Sequence, residues 1–124
     1  MSNIQQGIRF HMPVKITGVD LADVDKIEFL FKLAASTEAA EVKSAVWLPD
    51  GTGSAVTGTL DGETVIQIPW TRADTFRFPA GCRFYLHARI HYTNTEDEPY
   101  VPILELRMGP SLFGEADVDE EAGA

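Results

Sequence analysis

Cys82-Arg83-Phe84-Tyr85-Leu86-His87-Ala88-Arg89-Ile90-His91-Tyr92 is the stretch that decides the fold class. Its even positions hold Cys, Phe, Leu, Ala, Ile and Tyr, while its odd positions hold Arg, Tyr, His, Arg and His. An extended chain sends successive side chains to opposite sides, so this pattern puts one face in a core and the other in water. The run reads as a β-strand long enough to be a central one.

Working outward, other segments follow the same period. Ile8, Phe10, Met12, Val14 and Ile16 alternate with Arg9, His11 and Lys15, and Ile27, Phe29, Phe31 and Leu33 with Lys26, Glu28 and Lys32. Val42, Val46 and Leu48 form an apolar set that leaves Trp47 on the outer face of its strand. Ile66 and Ile68, then Leu104 and Leu106, complete the series. Turn signals separate the runs: Asp50-Gly51 and Asp61-Gly62 are strong hairpin dipeptides, and Pro79-Ala80-Gly81 breaks the chain before the long strand. Residues 93–99 form a polar, acidic loop. Thr71 is placed to cap a short helical turn over Thr71 to Thr75, with Asp74 as its partner three residues on. Residues 34–43, rich in Ala and Glu, read as a loop or a turn of helix. The economical solution is an all-β antiparallel β-sandwich, two sheets packed face to face.

Composition sets bounds on function. The chain has 124 residues, 44% of them hydrophobic and 23% charged, as expected of one soluble globular domain. No run of about 18 apolar residues is present to form a membrane-crossing helix. The polar opening Met1 to Gln6 argues against a secretory signal, and the single Cys82 fits synthesis in a reducing compartment. Net charge is −9, and five of the nineteen acids (Glu115, Asp117, Asp119, Glu120, Glu121) lie in the last ten residues. This divides the chain into a sandwich over residues 1–114 and an acidic tail over 115–124. An acidic body with an acidic tail is poorly suited to nucleic acid or to anionic membrane surfaces.

Residues that invite chemistry have plainer explanations. His87 and His91 are four residues apart on a strand, about 13 Å, too far to share one metal ion. Arg83, Tyr85, His87, Arg89 and His91 form a mildly basic sheet face that acidic neighbours on adjacent strands would satisfy. Cys82 lies on the apolar side with Phe84 and Leu86, where a thiol is inert. The acidic loop lacks the spacing and glycine of a calcium-binding hand. No catalytic residue, metal site or cofactor is expected. Outward Trp47, the pair Leu112-Phe113 and the tail acids Glu115, Asp117 and Asp119 are the expected assembly contacts.

Ile68-Pro69-Trp70-Thr71-Arg72-Ala73-Asp74-Thr75-Phe76-Arg77-Phe78 resembles a pattern met in small proteins of tailed phages and prophages. There an apolar residue precedes Thr-x-x-Asp-Thr, and a long alternating strand rich in Arg follows. The similarity extends to Ile8-Arg9-Phe10-His11-Met12-Pro13, to Ile27-Glu28-Phe29-Leu30-Phe31 and to the stretch from Leu104 to Phe113, covering roughly residues 7–114. Pro69-Trp70 departs from the plain aliphatic residue usual there, and the Ala-rich stretch from Ala34 to Ala40 is extra. The resemblance implies an immunoglobulin-like sandwich in a virion component of the tail, baseplate, neck or head surface. Its partners would be other virion proteins and copies of itself in a homo-oligomeric assembly, and it transfers no catalytic residues. The rival expectation is a carbohydrate- or receptor-binding module stacking ligands on Trp47, Trp70, Tyr85 and Tyr92.

Overall fold

The computed structural model describes residues 2–16, 20–93 and 100–110, with side chains from residue 4 to 16, 20 to 93 and 103 to 110. Eight strands form: β1 (Ser2–Gln5), β2 (Phe10–Val14), β3 (Val24–Lys32), β4 (Glu41–Trp47), β5 (Val56–Leu60), β6 (Glu63–Trp70), β7 (Arg83–Tyr92) and β8 (Tyr100–Gly109). A helical turn, α1 (Arg72–Phe76), links β6 to β7, and a single 3-10 turn (Leu21–Asp23) precedes β3. No helix among the described residues is long and apolar enough to cross a membrane.

The strands make two sheets, ordered β1-β8-β7-β3-β4 and β2-β6-β5. All pairings between these strands are antiparallel except β1 with β8, and Trp47 makes an isolated parallel bridge to Ala55. A four-strand run of the G-F-C-C′ kind facing a B-E-D sheet is the immunoglobulin-like order. The chain is therefore an all-β immunoglobulin-like sandwich. Residues 94–99, most of the acidic loop, and the tail from residue 111 onward lie outside the described residues.

The strand phases explain the core. Ile27, Phe29 and Phe31 of β3 and Phe84, Leu86, Ala88 and Ile90 of β7 are all buried, facing Ile66, Ile68 and Trp70 of β6 and Met12 of β2. Trp70 anchors an aromatic cluster, 5.0 Å from Phe31 in an edge contact, 5.5 Å from Phe78 and 6.0 Å from Phe84. Such pairs add to the burial of large apolar area and fill the space between sheets that no disulfide spans. The indole N–H of Trp70 is buried without an acceptor among the described residues.

In β4 the structure reverses the phase expected from the sequence. Ala45 and Trp47 are buried, and Trp47 is only 5% exposed. The cause is register: Ile27 lies opposite Trp47 and Phe29 opposite Ala45, and residues directly opposed share a sheet face. The core face of β3 therefore dictates the inward residues of β4. Val46 and Leu48 become half-exposed, and Lys43 turns inward opposite Phe31. Three other expected core residues, Ile8, Leu33 and Leu104, are exposed; Leu33 lies just past the end of β3, and Ile8 just before β2.

The two Asp-Gly turns play different parts. Asp61 and Gly62, with φ of 52° and 79°, close a two-residue hairpin between β5 and β6, as a type I′ turn requires. Asp50-Gly51 instead begins a crossover from one sheet to the other. There the Ala55 N–H donates to the Val46 carbonyl at 2.9 Å, and Ser54 Oγ accepts from the Val46 N–H at 2.9 Å. Gly53 permits this approach, because a Cβ there would stand 2.3 Å from the Val46 oxygen.

The Thr-x-x-Asp-Thr segment is a structural device. Thr71 Oγ1 accepts from the Asp74 N–H, Asp74 Oδ2 accepts from the Thr71 N–H, and together they form the expected capping box. Buried Thr75 donates through Oγ1 to the Arg72 carbonyl at 2.7 Å and accepts from the Gly7 N–H at 2.8 Å. This fastens the link between β1 and β2 to the turn before β7.

Candidate protein-interaction face

The outer face of the five-stranded sheet is where the structure gathers its surface chemistry. Because the inward residues of β3 and β7 are fixed by the core, Lys26, Glu28, Leu30 and Lys32 must face out beside His91, Arg89, His87 and Tyr85. Each pair lies directly opposite in the β3–β7 register. Glu105 joins the row at Tyr85, and Arg107 stands opposite Arg83. No described strand or helix packs over this surface, although residues 34–37 line part of it.

Glu28 is the electrostatic centre. Its Oε1 accepts from Arg89 Nη2 at 2.8 Å and Nε at 3.2 Å, and contacts His91 Nε2. The hydrogen bonds from Arg89 and then His91 hold its carboxyl below the usual glutamate range. Glu105 pairs with Arg83 at 3.7 Å and accepts from the Tyr85 hydroxyl at 3.4 Å. These two glutamates are the acidic neighbours that the basic strand called for. A groove of about 410 Å³ lies beside Glu28, lined by Leu30, Tyr85, His87, Ile103 and residues 34–37. Ile103 is 50% exposed there.

The charge on this face opposes that of the whole chain. Outward positions of β3, β7 and β8 hold Lys26, Lys32, Arg83, Arg89 and Arg107, five of the ten Lys and Arg, but only two of the nineteen acids. Glu41 flanks the face on β4 and Asp25 sits at the bulge beside Lys26.

Elsewhere the expected site residues fare differently. Trp47 is an internal tie, its Nε1–H donating to Thr57 Oγ1 at 2.9 Å across the corner between sheets. It offers no outer contact. Leu112, Phe113, Glu115, Asp117 and Asp119 lie outside the described residues. Trp47 and Trp70 are both in the core, so the aromatic platform of the carbohydrate-binding expectation is not assembled. Cys82 is half-buried at the edge of the core, and burial pushes its thiol up. No group of three or more metal-ligating side chains occurs among the described residues. Sequence reading missed Leu30 and Ile103 as groove residues, since each is an isolated apolar side chain whose neighbours come from other strands.

Fold and face together define an immunoglobulin-like β-sandwich domain whose basic outer sheet is left open by the strands and helices among the described residues. No family model matches the chain, and no curated protein sequence matches it. Among solved structures it is similar to the extracellular domain of the voltage-gated sodium channel beta4 subunit, described as a parallel homodimer that explains a role in cell–cell adhesion. The identity is 9%, the alignment covers 89% of this chain and 90% of that one, and the TM-score is 0.38.

Proposed function

We propose that the chain is a non-catalytic assembly domain that works by protein–protein contact through the outer face of its five-stranded sheet, as a structural component of a phage virion. The observation that carries the contact reading is the face that the described strands and helices leave open, where exposed Ile103 and half-buried Leu30 and Tyr85 sit among cations on an acidic chain. An apolar groove rimmed by paired charges has the make-up of a protein-binding surface, with apolar contact at the centre and a polar rim. Its partners on this reading are other virion proteins and copies of the chain.

The virion setting rests on the resemblance of residues 7–114 to small proteins of tailed phages. It is supported by the work its shared residues do: Thr71, Asp74 and Thr75 build the turn that joins the sheets. Two measurements test the reading. Tail or capsid genes should flank the coding sequence, and mass spectrometry should find the chain in purified particles of the encoding phage. Metabolic neighbours, or particles lacking the chain, overturn the virion setting.

A further inference from the structure

We infer that the basic outer face receives the carboxy-terminal segment, residues 112–121, of a second copy of this chain. The inference rests on the assembly reading above and names the surface and the partner within it.

Charge and period both match. Glu115-Ala116-Asp117-Val118-Asp119-Glu120-Glu121 has five acids and no base. Extended against a sheet, its residues 115, 117, 119 and 121 fall on one side, all acidic. Their repeat, about 6.6 Å, equals that of the outward positions along β7 and β8. One end of the face gathers three cations, Lys32, Arg83 and Arg107, against Glu105 and, opposite Lys32, Glu41. There Arg83 and Arg107 stand directly opposite each other, an unfavourable arrangement that an anion relieves. Glu105 serves Arg83, while Arg107 is exposed and has no ion-pair partner among the described residues. Upstream of the acids, Leu112-Phe113 supplies the apolar pair that the groove over Leu30 and Ile103 can bury.

Geometry selects a second copy over the chain's own tail. β8 runs from Tyr100 to Gly109, away from the groove, and Ile103 lies six residues back from its end, about 20 Å. Leu112 and Phe113 follow Gly109 by three and four residues, a reach of at most about 10 to 14 Å. A chain cannot lay this pair over its own Leu30 and Ile103 within that reach. The contact is then heterologous, each copy giving one tail and receiving another, which generates a ring or an open array.

The test uses full-length chains in sedimentation experiments. The native chain should self-associate, with affinity falling about tenfold or more between 50 and 500 mM salt. One variant amidates the tail (Glu115→Gln, Asp117→Asn, Asp119→Asn, Glu120→Gln, Glu121→Gln), and another reverses the face (Arg83→Glu with Arg107→Glu). Each alone should be monomeric, and an equal mixture should form a dimer that grows no further. If the double reversal does not fold, Arg107→Gln alone should weaken association severalfold. A mixture that stays monomeric overturns the inference. So does a native monomer whose Arg83 and Arg107 resonances respond to its own tail. Association that survives tail amidation overturns the tail contact while leaving the assembly reading standing. A native chain that is monomeric and absent from particles removes both.

Discussion

Lys43 Nζ sits 2.9 Å from Asp74 Oδ2 and 5.2 Å from the centre of the Trp70 ring, tying the edge strand β4 to the turn before β7. Both side chains are largely shielded, at 11% and 13% exposure. Burial pushes the Asp74 carboxyl up, but the Thr71 N–H and Lys43 outweigh it and leave the carboxyl below its ordinary value. Breaking the pair strands a shielded charge, so Asp74→Ala should cost about 3 kcal/mol, part of it the lost cap. A double-mutant cycle with Lys43→Ala should return a coupling of about 1 to 3 kcal/mol in urea unfolding. Because the folded pKa is depressed, the contribution is complete above about pH 4 and is lost as pH falls through the folded value. Asp74→Asn should therefore flatten the acid limb of stability against pH.

Trp47 distinguishes the observed phase of β4 from the opposite one. Buried opposite Ile27, it should cost about 3 to 5 kcal/mol when replaced by alanine, through a large cavity and the loss of its bond to Thr57. A surface tryptophan would change stability by about 0.5 kcal/mol or less. Urea midpoints of the two proteins decide the matter.

Gly53→Ala tests the crossover between the sheets. The added methyl meets the Val46 oxygen, a backbone atom that cannot swing aside, and so displaces residues 54 and 55 from β4. We expect a loss of about 2 kcal/mol, and amide exchange at Ala55 should speed up before global unfolding.

Thr75 makes its two hydrogen bonds through one oxygen in a buried site. Thr75→Val conserves shape but leaves the Gly7 N–H unmet, at a cost of about 2 kcal/mol. Thr75→Ser keeps the oxygen and should recover more than half of that. A loss in Thr75→Ser with none in Thr75→Val would assign the effect to the methyl group instead.

Cys82 should alkylate several-fold more slowly with iodoacetamide at pH 8 than a cysteine in an unfolded peptide, since burial favours the neutral thiol. Urea should abolish the difference. A rate above the peptide's would mark an activated thiol.

The strongest local signals survive folding intact. In β7 the alternation is complete over its whole length, and each apolar residue from Phe84 to Ile90 is in the core. Thr71 and Asp74 are similar, because a capping box is made within four residues and depends on nothing distant. The basic face with its acidic neighbours was also legible as a pattern, though not which glutamates supply the charge.

β4 marks the limit. Val42, Val46 and Leu48 looked like a core set because its other phase offered only Lys43, Ala45 and Trp47, of which just the tryptophan is a large apolar residue. Periodicity identifies two faces but does not say which one turns inward when both carry apolar groups. That choice fell to the register with β3, whose phenylalanines leave no doubt about their own side. Asp50-Gly51 tells the same story, since the dipeptide permits a turn and the partner strand decides where the chain goes next. By itself the sequence determined six of the eight described strands, β1 and β5 going unread, together with the cap, the basic face and an acidic tail, all consequences of neighbours within a few residues. Only the tertiary structure decided that Trp47 is internal, that Glu28 unites Arg89 and His91, and that Leu30 and Ile103 share a groove, because each of these joins residues from different strands.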